Sequence, residues 1–415
     1  MERDSQKSGV ALAMFAILLL SYVINAMDRQ LFSVLAADVR QSLSIDLPQI
    51  GLASTIFTLG MGVAGIPTGY LLSKMSRKNV VIIGLVLFSV ATYLTAYSRG
   101  LGDLLIYRFV SGLGEAMQLT ALLAIGTTYF YRYRAVAASS LNFTFGIGAI
   151  LGPNIGAAIL HVYGWQTPFI AFGLAGLPAL ILILLFVRPW FTEAKPVVGA
   201  KLSAASAQIA LDEENAATSL LARKPMLLAL ATVFAGLSIY GYLGLYPTYL
   251  REAVGFTPKE AAMCVSFYGL GALLSLFGGW LGDKFNYRKL LFISLIVSAI
   301  SGGFVFTPLN GSIVTHAIFS FVFGGAISGM VYANLSAGLI KSIVSEKASQ
   351  ASGLFVASLY IPAAFAGYLL GMLKGPFGWS NAGIMQVSGC ALIAAFLAIA
   401  SSVNVRAATE KKATR

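Results

Sequence analysis

Gly69-Tyr-Leu-Leu-Ser-Lys-Met-Ser-Arg-Lys78 and, 210 residues later, Gly279-Trp-Leu-Gly-Asp-Lys-Phe-Asn-Tyr-Arg-Lys289 each close a long apolar run with a glycine followed by a basic cluster. The offset is about half of the 415-residue chain, so the sequence reads as two related halves. Repeated halves with a solute site at their interface are a common plan for membrane transporters. Composition agrees. The chain is 58% hydrophobic and 11% charged, with a mean hydropathy of +0.81. A soluble domain carries roughly a quarter of its residues as charges, so lipid must cover most of this body.

Working outward from the repeat, stretches of about 20 apolar residues can each cross a bilayer as a helix. Twelve are expected: 10–36, 48–72, 79–99, 102–130, 135–161, 165–189, 225–251, 256–281, 289–309, 312–341, 347–373 and 379–404. The predicted fold is an all-α membrane protein of twelve transmembrane helices in two pseudo-symmetric six-helix bundles. The N-terminal bundle is 1–189, the C-terminal bundle 225–415, and 190–224 is a cytoplasmic linker carrying Lys195, Lys201 and the acidic run Asp212-Glu213-Glu214. The first apolar run is too long for the core of a cleavable signal peptide.

The net charge of +12 would suggest nucleic acid on a soluble protein. Here the basic residues lie in short loops. With the N-terminus inside, the outer loops hold only Arg40, Arg99, Arg251, Lys259 and Lys374, and Arg29 and Arg108 fall within spans. All the other basic residues fall on the inner side. The positive-inside rule then puts both termini in the cytoplasm, in a cell's inner membrane. Cys264 and Cys390 are far apart in apolar runs, and His161 and His316 form no ligand cluster. Neither a disulfide framework nor a metal site is expected. No catalytic constellation supports an enzyme, and no cofactor is expected beyond protons as the coupling ion.

These residues resemble the major facilitator superfamily, whose loop between helices two and three reads roughly G-x-L-x-D-R-x-G-R-K. The second copy keeps Gly279, Leu281, Asp283, Lys284 and Arg288; in the first copy Ser73 stands where the acid belongs, beside Gly69 and Arg77. The resemblance implies a gating role for these residues and for Gly152 and Pro153. The latter two lie in Gly148-Ala-Ile-Leu-Gly152-Pro153-Asn-Ile-Gly156, which is similar to the family's fifth-helix element. A narrower resemblance, to the anion:cation symporter group, is carried by Asn25-Ala-Met-Asp28-Arg29, by Tyr107-Arg108-Phe-Val-Ser-Gly-Leu-Gly114-Glu115-Ala116 and by Tyr246-Pro247-Thr-Tyr-Leu250. That group moves organic anions. Spinster-type lysolipid transporters share some of these elements.

An ionisable side chain inside a span is costly and marks a functional site by default. Four stand out: Asp28, Arg29, Arg108 and Glu115. Helical spacing puts Tyr22, Asn25 and Arg29 on one stripe, and Arg108, Ser111, Glu115 and Gln118 on another. From the span edges, Arg29 and Arg108 lie about 10 Å inside the outer end, with Glu115 deeper. The planar fork of an arginine suits it to gripping a carboxylate. Buried Asp and Glu suit proton carriage. The competing reading is a pair of ion bridges that only join helices one and four.

Softer candidates for the substrate site are Asn142, Tyr240, Tyr242, Tyr246, Asn334, Ser358 and Tyr360; helix–helix hydrogen bonds or packing are the alternative for each. The expected function is secondary active transport: proton-coupled symport of a small organic anion, a monocarboxylate, by a monomer working through alternating access. Arg29, Tyr22, Asn25 and Gln118 would hold substrate; Asp28, Glu115 and Arg108 would couple the proton. A proton-coupled exporter of drugs or lysolipids with the same fold stays open.

Overall fold

The computed structural model describes residues 2–130, 134–194, 217–284, 287–344 and 348–401. Those residues are almost entirely helical. The N-terminal half contains α1 (Glu2–Leu43), α2 (Leu47–Thr55), α3 (Phe57–Lys74), α4 (Arg77–Thr95), α5 (Leu101–Tyr129), α6 (Arg134–Tyr163), α7 (Gln166–Phe186) and the short α8 (Pro189–Thr192). The C-terminal half contains α9 (Arg223–Glu252), α10 (Pro258–Ala272), α11 (Ser275–Lys284), α12 (Tyr287–Val305), α13 (Ile313–Gly324), α14 (Tyr332–Lys341), α15 (Ala348–Ala363), α16 (Ala366–Gly383) and α17 (Gly389–Ala400). The acidic run 212–214 and the lysines at 195 and 201 lie outside the described residues.

Local chemistry sets the boundaries. Asp46 and Thr257 open α2 and α10 with reciprocal capping boxes to Gln49 and Glu260, which satisfy backbone donors that a helix start leaves unpaired. Gly378 turns the chain at φ 74° between the last two predicted spans. Ten helical stretches among the described residues are long and apolar enough to cross a membrane. One of them, Gly353–Ala400, contains predicted spans eleven and twelve, while predicted span eight falls on α10 and α11, interrupted at Leu273 and Leu274.

Two further departures from the sequence expectation bear on the site. Predicted span one ends at 36, but α1 runs to Leu43. Hydropathy stops where Asp38 and Arg40 begin, whereas the helical backbone continues because those side chains find partners on α9. Predicted span ten is divided by a π-helical turn, Gly325–Val331. Such wide turns often accompany functional sites, and Tyr332 follows this one directly.

Contact between the halves is uneven along the bundle. At one end α2 meets α16 backbone to backbone: a Cβ on Gly51 would lie 2.2 Å from the Gly367 carbonyl oxygen. The Thr55 hydroxyl donates to the Ala364 carbonyl at 2.7 Å there. Toward the opposite end of α3 and α15, a Cβ added at Gly69 or Gly353 meets nothing within 4 Å among the described residues. The two bundles are pressed together at the end bearing Asp38 and Arg251, and at the other end α3 and α15 leave Gly69 and Gly353 without a close neighbour.

Candidate substrate and coupling site

The two polar stripes predicted on the first and fourth spans face each other across α1 and α5. Arg29 Nε donates to Glu115 Oε2 at 2.7 Å. Arg108 Nη1 donates to Asp28 Oδ2 at 3.1 Å. The Asn25 amide donates to Gln118 Oε1 at 3.0 Å, and Gln118 Nε2 donates to the Ser21 hydroxyl at 2.8 Å. All four charged side chains are buried. Because α1 overruns its predicted end, Arg29 sits fourteen residues before Leu43, about 21 Å along the axis. That is level with Glu115, fourteen residues into α5, and not with Arg108 as the span edges implied.

Both ion pairs are incompletely used. Each is a single hydrogen bond, and Arg29 Nη2, Glu115 Oε1, Asp28 Oδ1 and Arg108 Nη2 are buried with no hydrogen-bond partner among the described residues. A buried donor or acceptor without a partner costs the full loss of its hydration. A pair present only to join two helices would be expected to close both arms of the fork. The two guanidinium groups also differ in surroundings. Arg108 lies over the rings of Phe32 and Phe57, 4.9 and 5.0 Å from their centroids. Arg29 lies over Tyr22 at 5.5 Å and Phe145 at 5.8 Å.

The fifth-helix glycine–proline element positions this site. A Cβ on Gly152 would come within 2.4 Å of the Met27 carbonyl oxygen, so only glycine lets α6 lie this close to the turn of α1 that carries Asp28 and Arg29. Pro153 lies inside α6 without breaking it.

From the C-terminal half, Tyr240 and Tyr360 meet edge to face at 6.2 Å, and both lie within electrostatic reach of Arg29. Tyr332 belongs to the same group; the sequence reading passed over it, and only the π-turn beside it in the structure marks it out. Phe57 and Phe145 also went unread, since an aromatic in an apolar run carries no signal of its facing. Ser358 on α15 is partly buried.

Three sequence candidates sit elsewhere. The Tyr242 hydroxyl bonds Ser320, and its ring stacks on Tyr246 and Tyr268. The Tyr246 hydroxyl lies 3.1 Å from His316 Nδ1. These two tyrosines fill the interior of the C-terminal bundle. The reason is helical phase: two residues are about 200° of turn, so Tyr242 points away from the face that Tyr240 presents. Asn334 spends its amide on the Gly278 and Met330 carbonyls at 3.2 and 2.8 Å, the helix–helix bond that was its alternative reading. The side chain of Asn142 lies outside the described residues.

Of the predicted gating residues, Arg77 Nη1 donates to the carbonyls of Thr192 and Ala194 at 3.2 and 3.1 Å. Glu193 accepts from the backbone N–H groups of Arg77 and Lys78 at 3.1 and 3.2 Å. An acid from the segment after α7 therefore caps α4, close to where Ser73 replaces the expected acid. Gly279 lies on α11, Arg288 is exposed at the start of α12, and the side chain of Asp283 lies outside the described residues.

Four residues at the closed end escaped the sequence reading as a group. Arg251 makes a two-armed pair with Asp38, its Nη2 donating to Oδ1 at 3.0 Å, and Arg40 pairs with Glu252 at 2.8 Å. Each of α1 and α9 contributes one acid and one base. A cavity of about 530 Å³ lies beside this clasp, but both of its arginines are already matched to carboxylates.

The Major Facilitator Superfamily pattern matches residues 18–262 and 228–415, nearly the whole chain. The chain belongs to the major facilitator superfamily. Among its relatives are the probable sulfoacetate transporter of Cupriavidus necator, 26% identical with 77% of this chain and 74% of that protein covered. The 3-(3-hydroxy-phenyl)propionate transporter of Escherichia coli is also 26% identical, with 91% and 90% covered. Among solved structures, a bacterial homologue of the human lysosomal transporter spinster, in an inward-facing and occupied conformation, superposes with a TM-score of 0.73 at 17% identity, covering 94% of this chain and 96% of that one. As a superfamily member with these spans, the chain is a multi-pass membrane transporter.

Proposed function

We propose that this transporter takes up a small organic anion, a monocarboxylate, together with a proton. The observation that carries the reading is the Arg29–Glu115 pair, buried, joined through one bond, with Arg29 Nη2 and Glu115 Oε1 both left over. Its guanidinium can accept a carboxylate on its unused arm. Asp28, Arg29, Arg108 and Glu115 sum to zero charge when all are ionised, so an entering carboxylate leaves the buried site negative. A proton taken up on Glu115 restores neutrality, and it frees Arg29 for the substrate. Relatives named as transporters of sulfoacetate and of an aryl propionate support an organic anion as the solute.

We place both termini in the cytoplasm of a cell with an inner membrane. The Asp38–Arg251 end is then the outer one, and the arrangement of the halves is an inward-facing state. The test is reconstitution. An inwardly directed proton gradient should drive accumulation of a carboxylate into vesicles, and an uncoupler should abolish it. Accumulation driven by an outwardly directed gradient would favour an exporter; dependence on sodium with no effect of pH would reject the proton.

A further inference from the structure

The uncharged wall opposite Arg29 says what body the carboxylate carries. Phe57 and Tyr240 meet edge to face at 6.1 Å, and Tyr240 meets Tyr360 in the same way at 6.2 Å. Tyr332 stands beside Tyr360 and packs edge-on against Phe355 at 5.2 Å. On the other side, Tyr22 and Phe145 lie under the guanidinium of Arg29. Rings from both halves therefore line the two buried guanidiniums, Phe57 over Arg108 and Tyr22 and Phe145 over Arg29. Edge-to-face contacts of this kind leave ring faces and edges that favour another aromatic ring over a saturated one of equal size.

Beyond the phenol hydroxyls of Tyr22, Tyr240, Tyr332 and Tyr360, the same wall offers few hydrogen-bonding groups to a polyhydroxylated solute. The buried side-chain amide donors of the C-terminal half are committed to backbone carbonyls: Asn334 Nδ2 to Gly278 and Met330, and Gln386 Nε2 to Leu237 and Ala366 at 3.3 and 2.8 Å. Among the described residues, no buried acid or base of that half stands opposite Arg29. A sugar acid would bring several hydroxyls into a site with only phenol hydroxyls to answer them, and each unanswered group loses its hydration without return.

We infer that the substrate is an aryl monocarboxylate, its carboxylate on Arg29 and its ring against Tyr240, Tyr332 and Tyr360, and that these tyrosines determine specificity. The inference rests on the proposed organic-anion reading. Selection then falls to the half that lacks buried charge, so that a correct solute draws that half toward Arg29 through its ring.

The experiment is a titration of the purified full chain with benzoate, 3-phenylpropionate, cyclohexanecarboxylate and gluconate. An aryl carboxylate should bind about fivefold or more tighter than cyclohexanecarboxylate, the size of one aromatic pair, with gluconate weakest. Tyr240→Leu and Tyr360→Leu should erase that preference, and Tyr240→Phe and Tyr360→Phe should keep it. Gluconate or cyclohexanecarboxylate binding as tightly as the aryl acids overturns the inference while leaving the organic-anion reading intact. So does an equal loss for all four acids in the leucine variants with the phenylalanine variants no better. If none of the four binds the unaltered protein, the organic-anion reading itself fails, and this inference with it.

Discussion

At the scale of single residues, the two arginines have separable duties. Each guanidinium leaves an arm unused and lies over two rings, but Arg29 pairs with Glu115, the proton-carrying candidate, whereas Arg108 pairs with Asp28. Arg29→Lys preserves charge but replaces a planar fork with a point charge. Substrate affinity should fall tenfold or more, about 1.4 kcal/mol, in a direct titration; unchanged affinity in both Arg29→Lys and Arg29→Ala would remove the residue from the site. Glu115→Gln mimics a permanently protonated carboxyl. It should still bind substrate and still exchange it in counterflow, while losing accumulation driven by a proton gradient. Both assays run on the same vesicles separate the roles: joint loss with loss of binding makes Glu115 a binding or structural group, and joint survival moves the coupling proton to Asp28.

At the scale of elements, the site depends on how closely α6 approaches α1. The carbonyl of Met27 occupies the space that a side chain at position 152 would need. Gly152→Ala forces the two backbones apart or strains them, and overpacking of this kind costs about 1–3 kcal/mol. The variant should show a lower Tm and weaker substrate binding together, because the displaced turn carries Asp28 and Arg29. A variant as stable as the parent with unaltered affinity would show that the contact is dispensable. How far elements were readable varied with their surroundings. The stripes on α1 and α5 were legible, since a charge in an apolar run has one sensible direction to face. The faces of Tyr242 and Tyr246 were not, because on a helix buried all round every direction is an interior, and that of Asn334 was not, because a lone amide in an apolar run bonds a neighbouring helix as readily as a solute.

At the scale of the whole molecule, the clasp of Asp38 with Arg251 and Arg40 with Glu252 joins the halves at one end only. Alternating access requires it to open. The side chains remain partly exposed, from 16% to 32%, so solvent weakens the pairs and each is worth at most about 1 kcal/mol. Asp38→Asn should therefore raise the population open at that end by a factor of about five. Spin labels placed on α2 and α16 would report the change as a longer distance, and high salt should mimic it in the parent protein. The exchanged pair Asp38→Arg with Arg251→Asp should restore the parent distribution. If the single variant leaves the distances unchanged, closure rests on the other contacts at that end, the Arg40–Glu252 pair and the α2–α16 packing at Gly51, Thr55 and Gly367.

The sequence by itself determined that this chain lives in a membrane, that its halves repeat, which superfamily it joins, and which two stripes carry its buried charge. The membrane and the stripes are written in composition and short-range periodicity, and the repeat and the superfamily in short motifs such as the one opening at Gly279, all of which survive without knowledge of neighbours. Only the tertiary structure decided that Arg29 takes Glu115 and Arg108 takes Asp28. Spacing fixes the direction a side chain leaves its helix, but the partner depends on the depth at which two antiparallel helices meet, and α1 ran past its hydrophobic end. The structure likewise chose Tyr240 over Tyr242 and brought Asp38 to Arg251 across more than 200 residues. Those choices follow from the relative rotation of packed helices, a property of pairs that no single helix encodes.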